Sequence, residues 1–192
     1  MHRFDLQQIA PSPWKNGGGS TREIARGPRG AGLDDFGWRI SVASIAQSGP
    51  FSTFPGIDRH IMLLEGDGVQ LHSSAEGIDH ALAQRWQPFA FAGDVALSCS
   101  LLGSPSTDFN VMTRRGRWSA QIQVLGQAQL LGASPAGLVM VLQGQWQCAS
   151  AEPPLLPGQG GWWAAPDAGS GLLVPQSGDA RLVHVALHPA QS

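Results

Sequence analysis

The chain has no tyrosine, and among its 192 residues Lys15 is the one lysine. Without tyrosine, any proton chemistry must use other groups. Cysteine is also scarce. Cys99 and Cys148 lie far apart and lack the close spacing of a metal site, so they read as buried thiols of a reducing compartment. Charged residues make up 14% of the chain and the net charge is −2. The one basic run, Arg114-Arg115-Gly116-Arg117, reads as a solvated face, which argues against a nucleic-acid partner. No apolar run is long enough to span a membrane. Met1-His2-Arg3-Phe4-Asp5 lacks the basic and then apolar layout of a secretory signal. The expectation is a cytoplasmic protein with neither membrane nor nucleic acid as partner.

Several catalytic signatures are missing too. There is no G-x-S-x-G elbow, so serine nucleophilic chemistry is disfavoured. A cupin metal site needs His-x-His, a nearby Glu and a later His, and the chain has no His-x-His. His184 and His188 would share a strand face but lie roughly 13 Å apart at the usual rise per residue. His60, His80 and His184 therefore read as partly buried side chains with one hydrogen bond each. No metal, no cofactor and no catalytic set are assigned.

Glycine (25) and proline (14) supply about a fifth of the residues and are spread along the chain, which means many turns and short elements. The dominant period is two. Trp38, Ile40 and Val42 fall on one strand face, and Arg39, Ser41 and Ala43 on the other; Asp108, Asn110 and Met112 share one face of a later alternating run. Ser20-x-x-Glu23 fits a helix capping box, but Gly27-Pro28 stops the segment so soon that a strand is expected. Ile61–Leu71 and Val139–Cys148 each read as apolar strand, glycine turn, strand, in hairpin style. Phe91-Ala92-Gly93-Asp94 and Pro157-Gly158-Gln159-Gly160 each put a glycine turn before a strand. This internal duplication predicts an all-β chain of two tandem cupin-like β-barrels, a bicupin of jelly-roll type. The expected boundaries are 1–117, carrying the ligand pocket, and 118–192.

The densest polar stretch is Trp14-Lys15-Asn16-Gly17-Gly18-Gly19-Ser20-Thr21-Arg22-Glu23. It places an ammonium, an amide, hydroxyls and a carboxylate beside a flexible turn. The lysine precedes the glycines, so this is not a nucleotide loop, although consecutive N–H groups suit a generic anion nest. Inward alternation adds Arg39, Ser41, Arg59 and Asn110 to Lys15, Asn16, Thr21 and Glu23 as candidate ligand-binding residues. An arginine at position 39 in an apolar strand needs a carboxylate: either Glu23 or Asp58 of the chain itself, or that of a ligand held bidentately. Trp14, Trp38, Phe51 and Phe109 are either pocket walls or core.

Three stretches resemble the HutD/Ves family: Trp14–Ile24, Gly37–Ala43 and Gly49-Pro50-Phe51-Ser52-x-Phe54-Pro55-Gly56-x-Asp58-Arg59. The later Asp108-Phe109-Asn110-Val111-Met112-x-Arg114 resembles it as well. The resemblance spans nearly the whole chain and implies a two-cupin protein. It also implies a role in limiting or tuning histidine utilisation, with a formylated or formiminated glutamate as proposed ligand, or a stress-linked role as in the Ves branch. The reading is a non-catalytic binder of a small carboxylate-bearing metabolite, with homodimerisation left open. The alternative is a metal-independent isomerase or deformylase in which Glu23 is the general base and Lys15 or Arg39 the electrophilic stabiliser. A structural protein with filled barrels is the third option.

Overall fold

The alternating runs are strands in the computed structural model, which describes residues 1–148, 153–164, 169 and 171–190. The chain opens with β1 (His2–Asp5) and one 3-10 turn, Leu6–Gln8. A first unit, Ala10–Arg115, holds β2 (Ser12–Pro13), β3 (Gly19–Gly27), β4 (Trp38–Ile45), β5 (Gly49–Pro50) and β6 (Ile57–Glu65). It continues with β7 (Val69–Ser73), β8 (Ile78–Leu82), β9 (Phe89–Ala92), β10 (Ser98–Leu101) and β11 (Ser106–Arg114). The second unit joins Met1–Ile9 to the chain from Gly116 onward. It contains β12 (Trp118–Leu125), β13 (Gln129–Leu131), β14 (Ala136–Gln143), β15 (Trp146–Gln147), β16 (Gln159–Trp163), β17 (Gly171–Pro175) and β18 (Arg181–Pro189).

Each unit is a pair of sheets of jelly-roll type rather than a closed barrel. In the first, a six-stranded sheet runs β2-β3-β4-β11-β6-β9 and a four-stranded sheet runs β5-β10-β7-β8. Ile61 and Leu63 of β6 pack with Val69 and Leu71 of β7, Leu82 of β8 and Cys99 of β10, so one apolar cluster draws on both sheets. In the second, the described strands form β1-β16-β14-β18-β12 and β13-β17-β15. The division differs from the expected 1–117 and 118–192 at the N-terminus. There β1 pairs antiparallel with β16, Phe4 opposite Gly160, which carries the first nine residues into the second unit. No helix among the described residues is long and apolar enough to cross a membrane.

The segment Ser20–Glu23 lies within strand β3, as Gly27-Pro28 suggested. The strand–glycine–strand segments are strands, but they are not hairpins. β6 pairs with β11 and β9, whereas β7 pairs with β10 and β8, so Gly66-Asp67-Gly68 carries the chain from one sheet to the other. β14 and β15 part in the same way at Gly144. Gly66 and Gly144 both have positive φ, +92° and +69°, a region open mainly to glycine. The duplication extends to register. Along β6 and β11 the pairs are Arg59↔Met112, Ile61↔Asn110, Leu63↔Asp108 and, past a bulge, Glu65↔Thr107. Along β14 and β18 they are Gly137↔Ala186, Val139↔His184, Val141↔Leu182 and, past a bulge, Gln143↔Arg181.

Candidate functional site

Strand alternation builds the site on the inner face of the six-stranded sheet. In rows across that face, Met112 lies between Arg39 and Arg59, Asn110 between Ser41 and Ile61, and Asp108 between Ala43 and Leu63. On the other side of β4, Thr21 faces Ala43 and Glu23 faces Ser41. A bulge between Glu23 and Ala25 then brings Arg26 opposite Arg39. A cavity of about 470 Å³ opens on this face, within the usual size range for small-molecule sites.

The cavity wall includes Lys15, Asn16, Thr21 and Arg39, and deeper in, Ser41, Arg59 and Asn110. These candidates, scattered over about a hundred residues, meet in one place. Glu23 is the exception. Its Oε2 accepts a 2.7 Å hydrogen bond from Arg39 Nε and its Oε1 lies 3.3 Å from Arg26 Nε, so it anchors the wall without being part of it. Asp58, the other carboxylate considered for Arg39, pairs instead with Arg115 at 2.7 Å. Arg115 also holds Asp94 at 2.7 Å, and Arg114 donates to the carbonyls of Phe36 and Asp34 at 3.0 and 2.9 Å. Arg114 and Arg115 thus pin segments of their own unit.

Arg59 is the buried cation of the site, 5% exposed. The rings of Phe51, Phe54 and Phe91 surround its guanidinium, with centroids 5.3, 5.3 and 5.0 Å away. Such a box favours a cation that has lost its water. Nη2 donates to Asn110 Oδ1 at 2.9 Å and Nη1 to the Ser52 carbonyl at 3.3 Å, while buried Nε has no partner. Burial lowers the Arg59 pKa to about 10, with Asp108 opposing and Arg39 adding to the shift. The group stays cationic at neutral pH.

Behind Arg59 stands Asp108, 1% exposed. Asn110 Nδ2 donates a short hydrogen bond to Asp108 Oδ2, while Asp108 Oδ1 is buried without a partner. Burial raises this carboxyl to about 7, against the lowering effects of Asn110 and Arg59. Asn110 therefore bridges the two, its carbonyl toward the cation and its amide toward the acid. Sequence reasoning placed Asp108 on this strand face but left it out of the site. Its signal was a carboxylate two positions from Asn110 in an apolar run. The rest of the aromatic box, Phe54 and Phe91, was also missed, because the loop before β6 supplies one ring and β9, paired with β6 from about thirty residues away, supplies the other.

The glycine loop has a structural explanation. Trp14 N–H donates to the Gly19 carbonyl at 2.9 Å, and Gly17 N–H to the Trp14 carbonyl at 3.0 Å. Gly18 N–H donates to Asn16 Oδ1 at 3.0 Å. The N–H groups of Gly17 and Gly18 are thus already used, which removes them from an anion nest. A Cβ on Gly19 would lie 2.2 Å from the Ser44 carbonyl oxygen, so the backbones approach too closely for any side chain. Lys15 is exposed at the mouth of the cavity. Trp14 lines the wall and its Nε1 donates to Thr21 Oγ1 at 2.8 Å. Phe51 is also wall, whereas Trp38 and Phe109 are buried on the opposite strand face.

The sequence model of the HutD family matches residues 6–181. Protein Ves of Cronobacter sakazakii is 41% identical over 164 residues, covering 85% of this chain and 87% of that protein. The structure of HutD from Pseudomonas fluorescens SBW25 matches with a TM-score of 0.82 and 31% identity over 98% of each chain. A cupin 2 conserved barrel domain protein from Leptotrichia buccalis shares the fold alone: TM-score 0.59, 11% identity, covering 96% of this chain and 95% of that one.

Proposed function

The chain belongs to the HutD family, and from that premise we propose that it binds a small acidic metabolite of the formylglutamate or formiminoglutamate type and thereby tunes histidine utilisation in the cytoplasm. The observation that carries this reading is Arg59, a dehydrated cation with an unpartnered Nε at the wall of a small-molecule cavity. A carboxylate is the natural partner for that fork, because it takes two parallel N–H bonds. Arg39 and Lys15 add positive charge, and Asp108 is the one carboxylate in the wall among the described residues. The balance selects an anion. Asn16, Thr21 and Ser41 offer an amide and hydroxyls to the formyl or formimino end, and Trp14, Phe51 and Met112 cover the methylenes.

A thermal-shift screen of formylglutamate, formiminoglutamate, glutamate and glutamine tests this reading. A millimolar ligand of micromolar affinity stabilises the folded chain by about 4 kcal/mol. Stabilisation by the acylated acids, and none by glutamine, is the expected outcome. An unchanged melting temperature with all four would contradict it.

A metal-independent deformylase or isomerase is a second reading, supported by the near-neutral Asp108 carboxyl in the cavity wall. Glu23 does not suit the role of general base, because Arg39 and Arg26 engage its carboxylate outside the cavity. Proton NMR of formylglutamate incubated with the protein separates the two readings. Binding leaves the formyl signal intact, whereas deformylation replaces it with free formate.

A further inference from the structure

The chain Arg59–Asn110–Asp108 holds one positive charge and one titratable acid in a space with little water. Two buried atoms in it have no partner, Arg59 Nε and Asp108 Oδ1. The groups around Asp108 are few. Arg59 comes from β6 and Cys99 from β10 on the other sheet, while Arg39 on β4 acts on Arg59. Glu23 and Arg26 on β3 are paired with each other and with Arg39, and Lys15 lies at the mouth. His60 and Asp58 project from the opposite face of β6 by strand alternation. Arg59 is thus the cation that partners Asp108 through Asn110, and it is the same cation that the anion-site reading assigns to the ligand.

We propose that Asp108 is a specificity-determining residue that takes up a proton from solvent when an anionic ligand docks on Arg59. This inference rests on the anion-site reading. Arg59 cannot neutralise two carboxylates in a dry pocket. The second anion therefore makes the ionised form of the first unfavourable, as for any pair of acids sharing a site. In the empty cavity above about pH 7, ionised Asp108 balances Arg59. In the occupied cavity, the ligand carboxylate balances Arg59, and Asp108 becomes a neutral acid whose hydroxyl is a donor. The proton offsets the charge of the carboxylate that docks on Arg59, and a second ligand carboxylate is left to Arg39 and Lys15. The site therefore takes an anion together with a proton, and its preference for anions over neutral isosteres, which leave the Asp108 carboxylate in place, weakens as pH rises.

The test is calorimetric titration of the full chain with N-formylglutamate from about pH 6 to pH 8.5, each pH run in two buffers of different ionisation enthalpy. The ligand carboxyls stay ionised throughout this range. For the wild-type chain, uptake of about half a proton is expected near pH 7, with affinity falling roughly tenfold per pH unit at higher pH. Asp108→Asn is expected to bind with a flat pH profile and no proton uptake. Wild-type binding without proton uptake overturns this inference and leaves the anion site standing. Retention of the full pH dependence in Asp108→Asn also overturns it. Failure of N-formylglutamate to bind the wild-type chain at any pH overturns both. Should Asp108→Asn fail to fold, the wild-type proton count alone decides.

Discussion

The two units share one frame, and the same positions in it have been filled in opposite ways. Arg59, Asn110 and Asp108 occupy the rows that Gly137, His184 and Leu182 occupy in the second unit, relative to the same bulge. Opposite Arg59 on the neighbouring strand is Phe91, and opposite Gly137 is Trp163. A Cβ at Gly137 would lie 2.3 Å from the Trp163 ring, so the indole takes the space that the Arg59 side chain occupies in the other unit. Trp163 is 1% exposed and its Nε1 donates to the Ser134 carbonyl at 3.1 Å, which closes the interior. A jelly roll thus holds an open cavity or a filled core through a few inward positions on a shared order of strands, β4-β11-β6-β9 in one unit and β12-β18-β14-β16 in the other.

The largest expected effect lies in the filled half. Trp163→Ala removes the indole that packs on Gly137 and should cost about 3–5 kcal/mol of stability, measured by denaturant unfolding. Titration of the same variant should show unchanged affinity for formylglutamate. Loss of binding there would mean that the division of labour between the halves is wrong.

The next effect lies in the open half. Arg59→Met keeps a long stem among Phe51, Phe54 and Phe91 and removes the fork. Carboxylate affinity should fall by about 2–5 kcal/mol, since a buried charge loses its partner. Melting temperature should change much less than affinity, because Asp108, already near 7, can stay protonated.

The pH dependence of stability contrasts the halves directly. Folded Asp108 keeps its proton up to about 7, while the unfolded side chain loses it near its ordinary value, so its contribution to stability falls as pH rises through that window. His184 works the other way. Burial lowers it to about 4, so the unfolded state binds more protons below the ordinary histidine value, and stability rises with pH. His60, also lowered by burial, adds to the His184 sense. Between about pH 4 and 6.5 the slopes oppose each other in the wild-type chain. Asp108→Asn should therefore gain stability with rising pH in that window, and His184→Gln should lose it. Identical pH profiles for both variants would contradict the assignment.

The smallest effect is expected at the mouth. Lys15→Arg keeps the charge on an exposed residue and changes its shape. Affinity should drop by less than about 1 kcal/mol, as for other exposed charges, with folding unchanged in a thermal melt.

Much of this contrast was legible before the structure. Alternation at Trp38–Ile45 and at Asp108–Met112 identified strands and their faces, because a half-polar, half-apolar period of two has one natural placement. The doubled glycine turns identified the duplication. Periodicity says nothing about which strand pairs with which, so the turns at Gly66 and Gly144 read as hairpins when they are crossings between sheets. For the same reason β1 was assigned to the wrong half. The lone lysine and the triple glycine stand out by rarity, yet Gly19 answers to close backbone approach and Gly17 to its positive φ, and Lys15 is peripheral. Asp108 carries more of the site, but its signal was a common residue whose importance comes from burial beside Arg59.

The central claim, one frame with one anion site, is tested most directly by the stoichiometry and location of binding. Calorimetric titration of N-formylglutamate into the wild-type, Arg59→Met and Trp163→Phe chains at about pH 6.5 supplies both. The expected result is one site per chain, lost in Arg59→Met and retained in Trp163→Phe. Two sites per chain, or binding that survives Arg59→Met undiminished, would contradict it.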